Sequence, residues 1–218
     1  MYTAHDLYTE LKDLKNVALI VFDNNVAHFY VGFKSSSRLI NDYNVKGRVY
    51  LNENLNTTFC ISELDDFLKY LKNVKEPIIF DKKHLVVTTP NREFEFYVDE
   101  LPPRDQWPTF PQIQNPDTLY KGLNLKIDVS YDLMRFEEDG TYVVSLIGHK
   151  KRINKNKHKV YTEIRRETLD RLPRFTYDYS VTPDYLYLQY RDRLTNKVKM
   201  EFYLANDLMV VDSDFEVI

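Results

Sequence analysis

The chain has 218 residues, 43% hydrophobic and 29% charged, with a net charge of −3, a size that suits one large domain or two of about a hundred residues each. That net charge argues against a simple nucleic-acid coat, and the single cysteine, Cys60, excludes an internal disulfide. The five glycines include no GxGxxG or Walker pattern, which argues against a nucleotide-binding loop, whereas 17 Tyr and 13 Phe favour strands.

The first expected element is a helix over 3–16, with Leu7, Leu11, Leu14 and Ala18 as its apolar stripe and Lys12 and Lys15 off it. Strands over 18–22 and 26–33 flank Asp23-Asn24-Asn25, residues that tolerate left-handed backbone in a tight hairpin. The polar stretch 35–44 reads as an irregular edge or loop, and 48–61 as two short strands split by Asn52-Glu-Asn-Leu-Asn56. A second helix is expected over 62–75, with Ser62 as N-cap and Asp65 at capping-box spacing. Leu64, Phe67, Leu68, Leu71 and Val74 form one apolar stripe, and Lys69, Lys72 and Lys75 recur every three residues away from it. Acids in its first turn and lysines in its last suit the helix dipole, Pro77 stops it, and strands over 78–80, 84–88 and 93–98 follow.

Five of the nine prolines fall in 101–116, a density that neither helix nor sheet survives. This is an extended connector, and the domain boundary is placed at 105–114, between an N-terminal domain 1–104 and a C-terminal domain 115–218. Beyond it the order repeats. Asn115-Pro116 opens a short helix over 117–123 that carries Lys121 and Gly122. Strands over 125–136 and 141–148 are joined by Glu137-Glu-Asp-Gly140, followed by a basic loop 149–157 and a strand over 160–164. A helix over 166–172 brings Arg171 and Arg174 and ends at Pro173. Strands over 176–181, 185–190, 199–204 and 208–211 and an acidic tail close the chain. Each half therefore reads helix, hairpin, strands, helix, strands, a repeat of element order rather than of residues.

The short N-terminal helix with no strand before it, the hairpin over 18–33 and Ile61-Ser-Glu-Leu-Asp-Asp-Phe-Leu-Lys-Tyr-Leu resemble the DNA sliding clamps, most closely the processivity clamp of T-even-type bacteriophages. The run from Pro183-Asp-Tyr-Leu-Tyr-Leu-Gln-Tyr through Met200-Glu-Phe-Tyr-Leu to Leu208-Met-Val-Val-Asp-Ser-Asp is similar to that family's closing strands. The resemblance implies an α+β clamp fold: two similar domains, each of antiparallel sheets with two helices on one side, closing head to tail into a homotrimeric ring. It implies a hole that holds double-stranded DNA, a DNA polymerase and an ATP-driven clamp loader as partners, and a role in late transcription in T-even relatives. The short third and fourth helices, with Gly122 and Pro173, depart from the family pattern.

A sliding ring must hold phosphates without reading bases, and cations on helix faces do that. The candidates are Lys12 and Lys15, Lys69 and Lys72, Lys121, and Arg171 and Arg174, one set per expected helix, set in an otherwise acidic chain that would repel DNA elsewhere. Taken singly, each set fits a solvated surface better than a DNA contact, and it is four such sets on four expected helices that point to DNA. Ten Lys/Arg against three acids between His149 and Arg174 make a local basic region, and its loop, with Lys151, fits either a hairpin tip or a second DNA contact. Trp107 and Phe110 either anchor the connector or border a pocket for partner peptides. The five histidines have no metal-ligand spacing, and no catalytic constellation is present, so no metal, cofactor or enzymatic activity is expected. The longest apolar run, 17–22, is too short to cross a bilayer and no signal core opens the chain, so a cytoplasmic protein is expected, in the host cell if viral. Two other classes stay open: a β-rich phage virion protein, and a monomeric DNA-binding polymerase accessory factor.

Overall fold

The structure is a computed structural model, and it describes residues 3–31, 45–74, 78–80, 84–89, 92–107, 110, 119–127 and 129–206. The expected loop 35–44, the Asn115-Pro116 cap, Pro77 and the strand 208–211 lie outside these residues. The chain divides into two units, Met1–Thr109 and Phe110–Ile218.

In the first unit Thr3 opens helix α1, Ala4–Leu11, with a reciprocal capping box: its hydroxyl accepts from the Asp6 N–H while the Asp6 carboxylate accepts from the Thr3 N–H at 2.8 Å. Those bonds hold the Asp6 carboxyl below its usual pKa. Ala4, Leu7, Leu11 and Leu14 are buried, as their spacing requires. The helix stops at Leu11, five residues short of the expected end, and Asn16, at a left-handed φ of 53°, leads the chain into the first strand.

Strands β1 (Val17–Asp23), β2 (Val26–Val31), β3 (Val45–Tyr50) and β4 (Thr58–Ile61) pair antiparallel in the order β4-β1-β2-β3. The β1–β2 hairpin closes at Asp23↔Val26 with Asn24 at φ 58°. Helix α2, Leu64–Lys72, buries Leu64, Phe67, Leu68 and Leu71 and packs on α1 and β1. The Phe67 ring lies 6.1 Å from Phe22, 6.5 Å from Phe59 and 5.1 Å from Phe96. Ser62 does not cap it. The N-cap is Glu63, with no side-chain bond, and the Ser62 N–H donates to Asp99 Oδ2 at 2.6 Å, beside the Cys60–Asp99 bridge. The helix ends at Lys72, with Asn73 Nδ2 donating to the Lys69 carbonyl at 3.0 Å. Strands β5 (Ile78–Phe80), β6 (His84–Thr89) and β7 (Arg92–Tyr97) form a separate antiparallel sheet.

The second unit holds β8 (Tyr120–Asn124), β9 (Leu133–Glu137), β10 (Gly140–Val144), β11 (Lys150–Asn154), β12 (Thr162–Arg165), helix α3 (Arg166–Leu169), β13 (Thr176–Val181), β14 (Tyr185–Arg191) and β15 (Val198–Ala205). Its pairings repeat those of the first unit. The order β12-β9-β10-β11 matches β4-β1-β2-β3, and the meander β13-β14-β15 matches β5-β6-β7. In each unit a helix joins the two sets, α2 in the first and α3 in the second.

Three expectations are corrected here. The third helix does not form over the described part of 117–123: Gly122 has φ 79°, and Tyr120–Asn124 instead pairs with β13 through Leu123↔Tyr177 and Tyr120↔Tyr179. The described part of 125–132 is neither strand nor helix, so β9 begins eight residues later than expected. The basic loop is the edge strand β11, paired antiparallel with β10, with Lys150 Nζ reaching Glu137 Oε2 at the end of β9 at 2.6 Å and the Arg152 guanidinium donating to the Asp139 carbonyl in the β9–β10 turn. Gly140 permits that pairing, since a Cβ there would lie 2.6 Å from the Asn154 carbonyl oxygen. Helix α3 is a single turn, and among the described residues it is the second unit's only helix.

The second core is aromatic. Phe136, Tyr177, Tyr179, Tyr187 and Phe202 are fully buried, and His158, 2% exposed, sits among Tyr120, Phe136 and Tyr179 with its Nε2 3.0 Å from Thr141 Oγ1.

Candidate nucleic-acid interface

The apolar stripe of α2 is committed to the core, so its polar positions face solvent. Lys69 and Lys72 are exposed there, and Lys12 and Lys15 are exposed at and just beyond the end of α1. Lys69 Nζ meets Asp66 Oδ1 at 2.6 Å across an i,i+3 spacing. The pair is mostly exposed, and its hydrogen bond raises the Lys69 pKa and lowers that of Asp66. Such a pair is screened and easily exchanged for a phosphate. Lys12, Lys15 and Lys72 make no ion pair among the described residues. The first unit thus presents four lysines from two helices that pack together.

The second unit presents its cations differently. Lys121 stands on strand β8, not on a helix, and its ammonium meets Asp178 at 2.7 Å. Lys151 is exposed on the edge strand β11. Arg171 is half-buried in the turn after α3, and Arg174 is exposed, 3.8 Å from Asp170. Lys126, Arg191 and Arg193, which the sequence reading missed, line one groove with Arg174. Lys126 and Arg174 are far in sequence from Arg191 and Arg193, and the alternation in Tyr190-Arg-Asp-Arg193 was the one available signal.

Trp107 is half-buried and turned onto its own connector: its Nε1–H donates to the Pro102 carbonyl at 2.9 Å, and the Arg104 guanidinium lies 5.5 Å over its ring. Phe110 lies 5.1 Å from the Tyr203 ring. Among the described residues no group of three or more His, Cys, Asp or Glu could hold a metal ion, and no helix is long and apolar enough to cross a membrane.

No protein-family model and no curated protein sequence matches the chain. Solved structures do. A proliferating cell nuclear antigen from Entamoeba histolytica superposes with a TM-score of 0.58 at 12% identity, over 93% of this chain and 94% of that one. This is the sliding-clamp fold. The Helicobacter pylori beta clamp bound to 5-chloroisatin matches with a TM-score of 0.57 at 12% identity over 94% of this chain, which spans only 62% of the beta clamp's length. An Archaeoglobus fulgidus clamp (A. fulgidus PCNA), solved with the C-terminal region of FEN-1, matches at 0.53 and 12% identity. At these identities the likeness is one of fold.

Proposed function

We propose that the chain is a DNA polymerase processivity factor, a sliding clamp of the T-even bacteriophage type. It has two clamp domains, 1–104 and 115–218, on a 105–114 connector, and closes head to tail as a homotrimer around double-stranded DNA. The observation that carries this is the clamp fold, matched nearly end to end on the E. histolytica protein and over less than two thirds of the H. pylori one. That difference favours the two-domain, three-subunit type. The division between Thr109 and Phe110 falls inside the connector, which supports the domain assignment.

In this reading Lys12, Lys15, Lys69 and Lys72, with Lys121, Lys151, Arg171 and Arg174, hold phosphates weakly and without reading bases. Retention comes from closure of the ring, so each contact can be exposed, exchangeable and compatible with sliding. The net charge of −3 confines the attraction to the basic surfaces. Ring closure needs strand edges, and β11 ends its sheet. The chain acts as a tether rather than a catalyst, with a polymerase and a clamp loader as partners. An H. pylori beta clamp was solved with a DNA ligase peptide and the A. fulgidus clamp with FEN-1, which supports docking of short segments of replication proteins here. Light scattering over a range of concentrations tests the assembly. A species near three times 26.1 kDa supports the trimer, and a large polydisperse assembly would instead favour a virion protein.

A further inference from the structure

Two adjoining grooves in the second unit share Asn124 and Lys126. The smaller, about 370 Å³, runs between the end of β8 and the edge strand β11, with Lys126, Lys151 and Arg152 in its walls and no acid among its described lining residues. Gly122 contributes no side chain to its floor, and at φ 79° the site resists any other residue. The larger, about 810 Å³, continues from Lys126 along the starts of β13 and the end of β14 to Arg174, Arg191 and Arg193.

Two acids line the larger groove, and both are engaged. Asp178 takes Lys121 Nζ at 2.7 Å and faces Arg191 Nε at 3.7 Å. Asp192 Oδ1 accepts the N–H groups of Leu194 and Thr195 at 3.0 and 2.8 Å and the Thr195 hydroxyl at 2.9 Å, so it staples its own turn. Lys126, Lys151 and Arg193, all exposed, make no ion pair among the described residues. Among the described lining residues, net positive charge is therefore left in both grooves. The larger groove also contains the half-buried rings of Phe175 and Tyr190, stacked on each other at 4.2 Å and 21°. Clefts of a few hundred cubic ångströms take a small ligand or one strand, not a duplex, and cations flanking aromatic rings are what a single strand uses.

We propose that this pair of grooves binds a single-stranded segment of nucleic acid, with phosphates on Lys126, Lys151, Arg174 and Arg193 and a base against the Phe175–Tyr190 pair. The site is separate from Lys12, Lys15, Lys69 and Lys72, shares Lys151 and Arg174 with the residues assigned to duplex DNA, and needs no closed ring. A clamp carrying it would hold the strand that leaves the duplex at a primer–template junction.

The test is fluorescence anisotropy of a labelled oligothymidylate with the full chain, over a series of salt concentrations. Lys126→Ala/Arg193→Ala is compared with Lys69→Ala/Lys72→Ala, and circular dichroism checks that both stay folded. The groove variant is expected to bind about tenfold more weakly, with the slope of log K against log salt reduced by about 1.4, from two phosphate contacts at about 0.7 each. The helix variant should bind the oligonucleotide as the parent does. Three results would each overturn the proposal: no binding by the parent chain, equal binding by the groove variant, or displacement by millimolar inorganic phosphate at constant ionic strength, which would make it a site for the free anion. Loss of binding in the helix variant alone would overturn the groove while leaving the duplex assignment standing.

Discussion

Acidification should destabilise the second unit through one residue, His158. Its ring is 2% exposed among Tyr120, Phe136 and Tyr179, its Nε2 is occupied by Thr141 Oγ1 at 3.0 Å, and its Nδ1 is buried with no partner among the described residues. Protonation would place a charge and a second N–H where nothing receives them, and burial pushes the pKa from 6.5 down to about 4. The unfolded chain then takes up the proton first. The stabilisation is complete above pH 6.5, is lost as pH falls towards 4, and changes no further below that. The loss works out at about 2 kcal/mol between roughly pH 7 and pH 5, and about 3 kcal/mol once both states are protonated. Urea unfolding followed by circular dichroism, run at both pH values on the parent and on His158→Phe, isolates the effect. His28, half-buried, also has a lowered pKa, but its contribution cancels in the difference between the two proteins. The variant should lose the His158 share of the pH dependence, whatever its stability at neutral pH. An identical pH dependence in both proteins would refute the reasoning.

Other outcomes follow from the same structure. Lys69→Glu/Lys72→Glu should weaken duplex DNA binding and lower the salt slope by about 2, with a stability change within about 0.5 kcal/mol, because both side chains are solvated; unfolding would place them in the core. Gly140→Ala sets a Cβ 2.6 Å from a backbone oxygen of β11 and should cost about 1–3 kcal/mol in urea unfolding, where an unchanged midpoint would contradict the close approach. Cys60 is buried, and burial together with the nearby Asp99 charge pushes its thiol up to about 12, so a disulfide reagent at mildly alkaline pH should find no thiol in the native chain and one in denaturant.

Local periodicity carried much of the first unit. The stripe Leu64, Phe67, Leu68 and Leu71 has one amphipathic solution, and Asp23-Asn24-Asn25 one tight turn, so α2 and the β1–β2 hairpin were legible before any tertiary contact was known. What misled was decided at long range. Ser62 looks like a cap, but Asp99, 37 residues away, takes its N–H. Residues 120–124 join β13, more than fifty positions on, and the charge run at 150–154 is a strand because it pairs with β10, with Glu137 and the Asp139 carbonyl taking its Lys150 and Arg152 side chains. Propensity cannot foresee such partners. The same holds for the basic grooves: Lys126 and Arg193 share a lining only because β8, β13 and β14 pair side by side. The helix lysines were legible as a pattern, and the grooves were not.

The central claim is a closed ring on DNA, and topology tests it more directly than affinity. The labelled chain is loaded, with its clamp loader and ATP, onto a nicked circular duplex, passed through a sizing column at salt high enough to screen phosphate contacts, and then challenged by linearising the DNA with a restriction enzyme. The account predicts that the protein stays with the circle and runs off once ends are made. Equal loss from circular and linear DNA would contradict it and leave a clamp-folded chain that binds by charge alone.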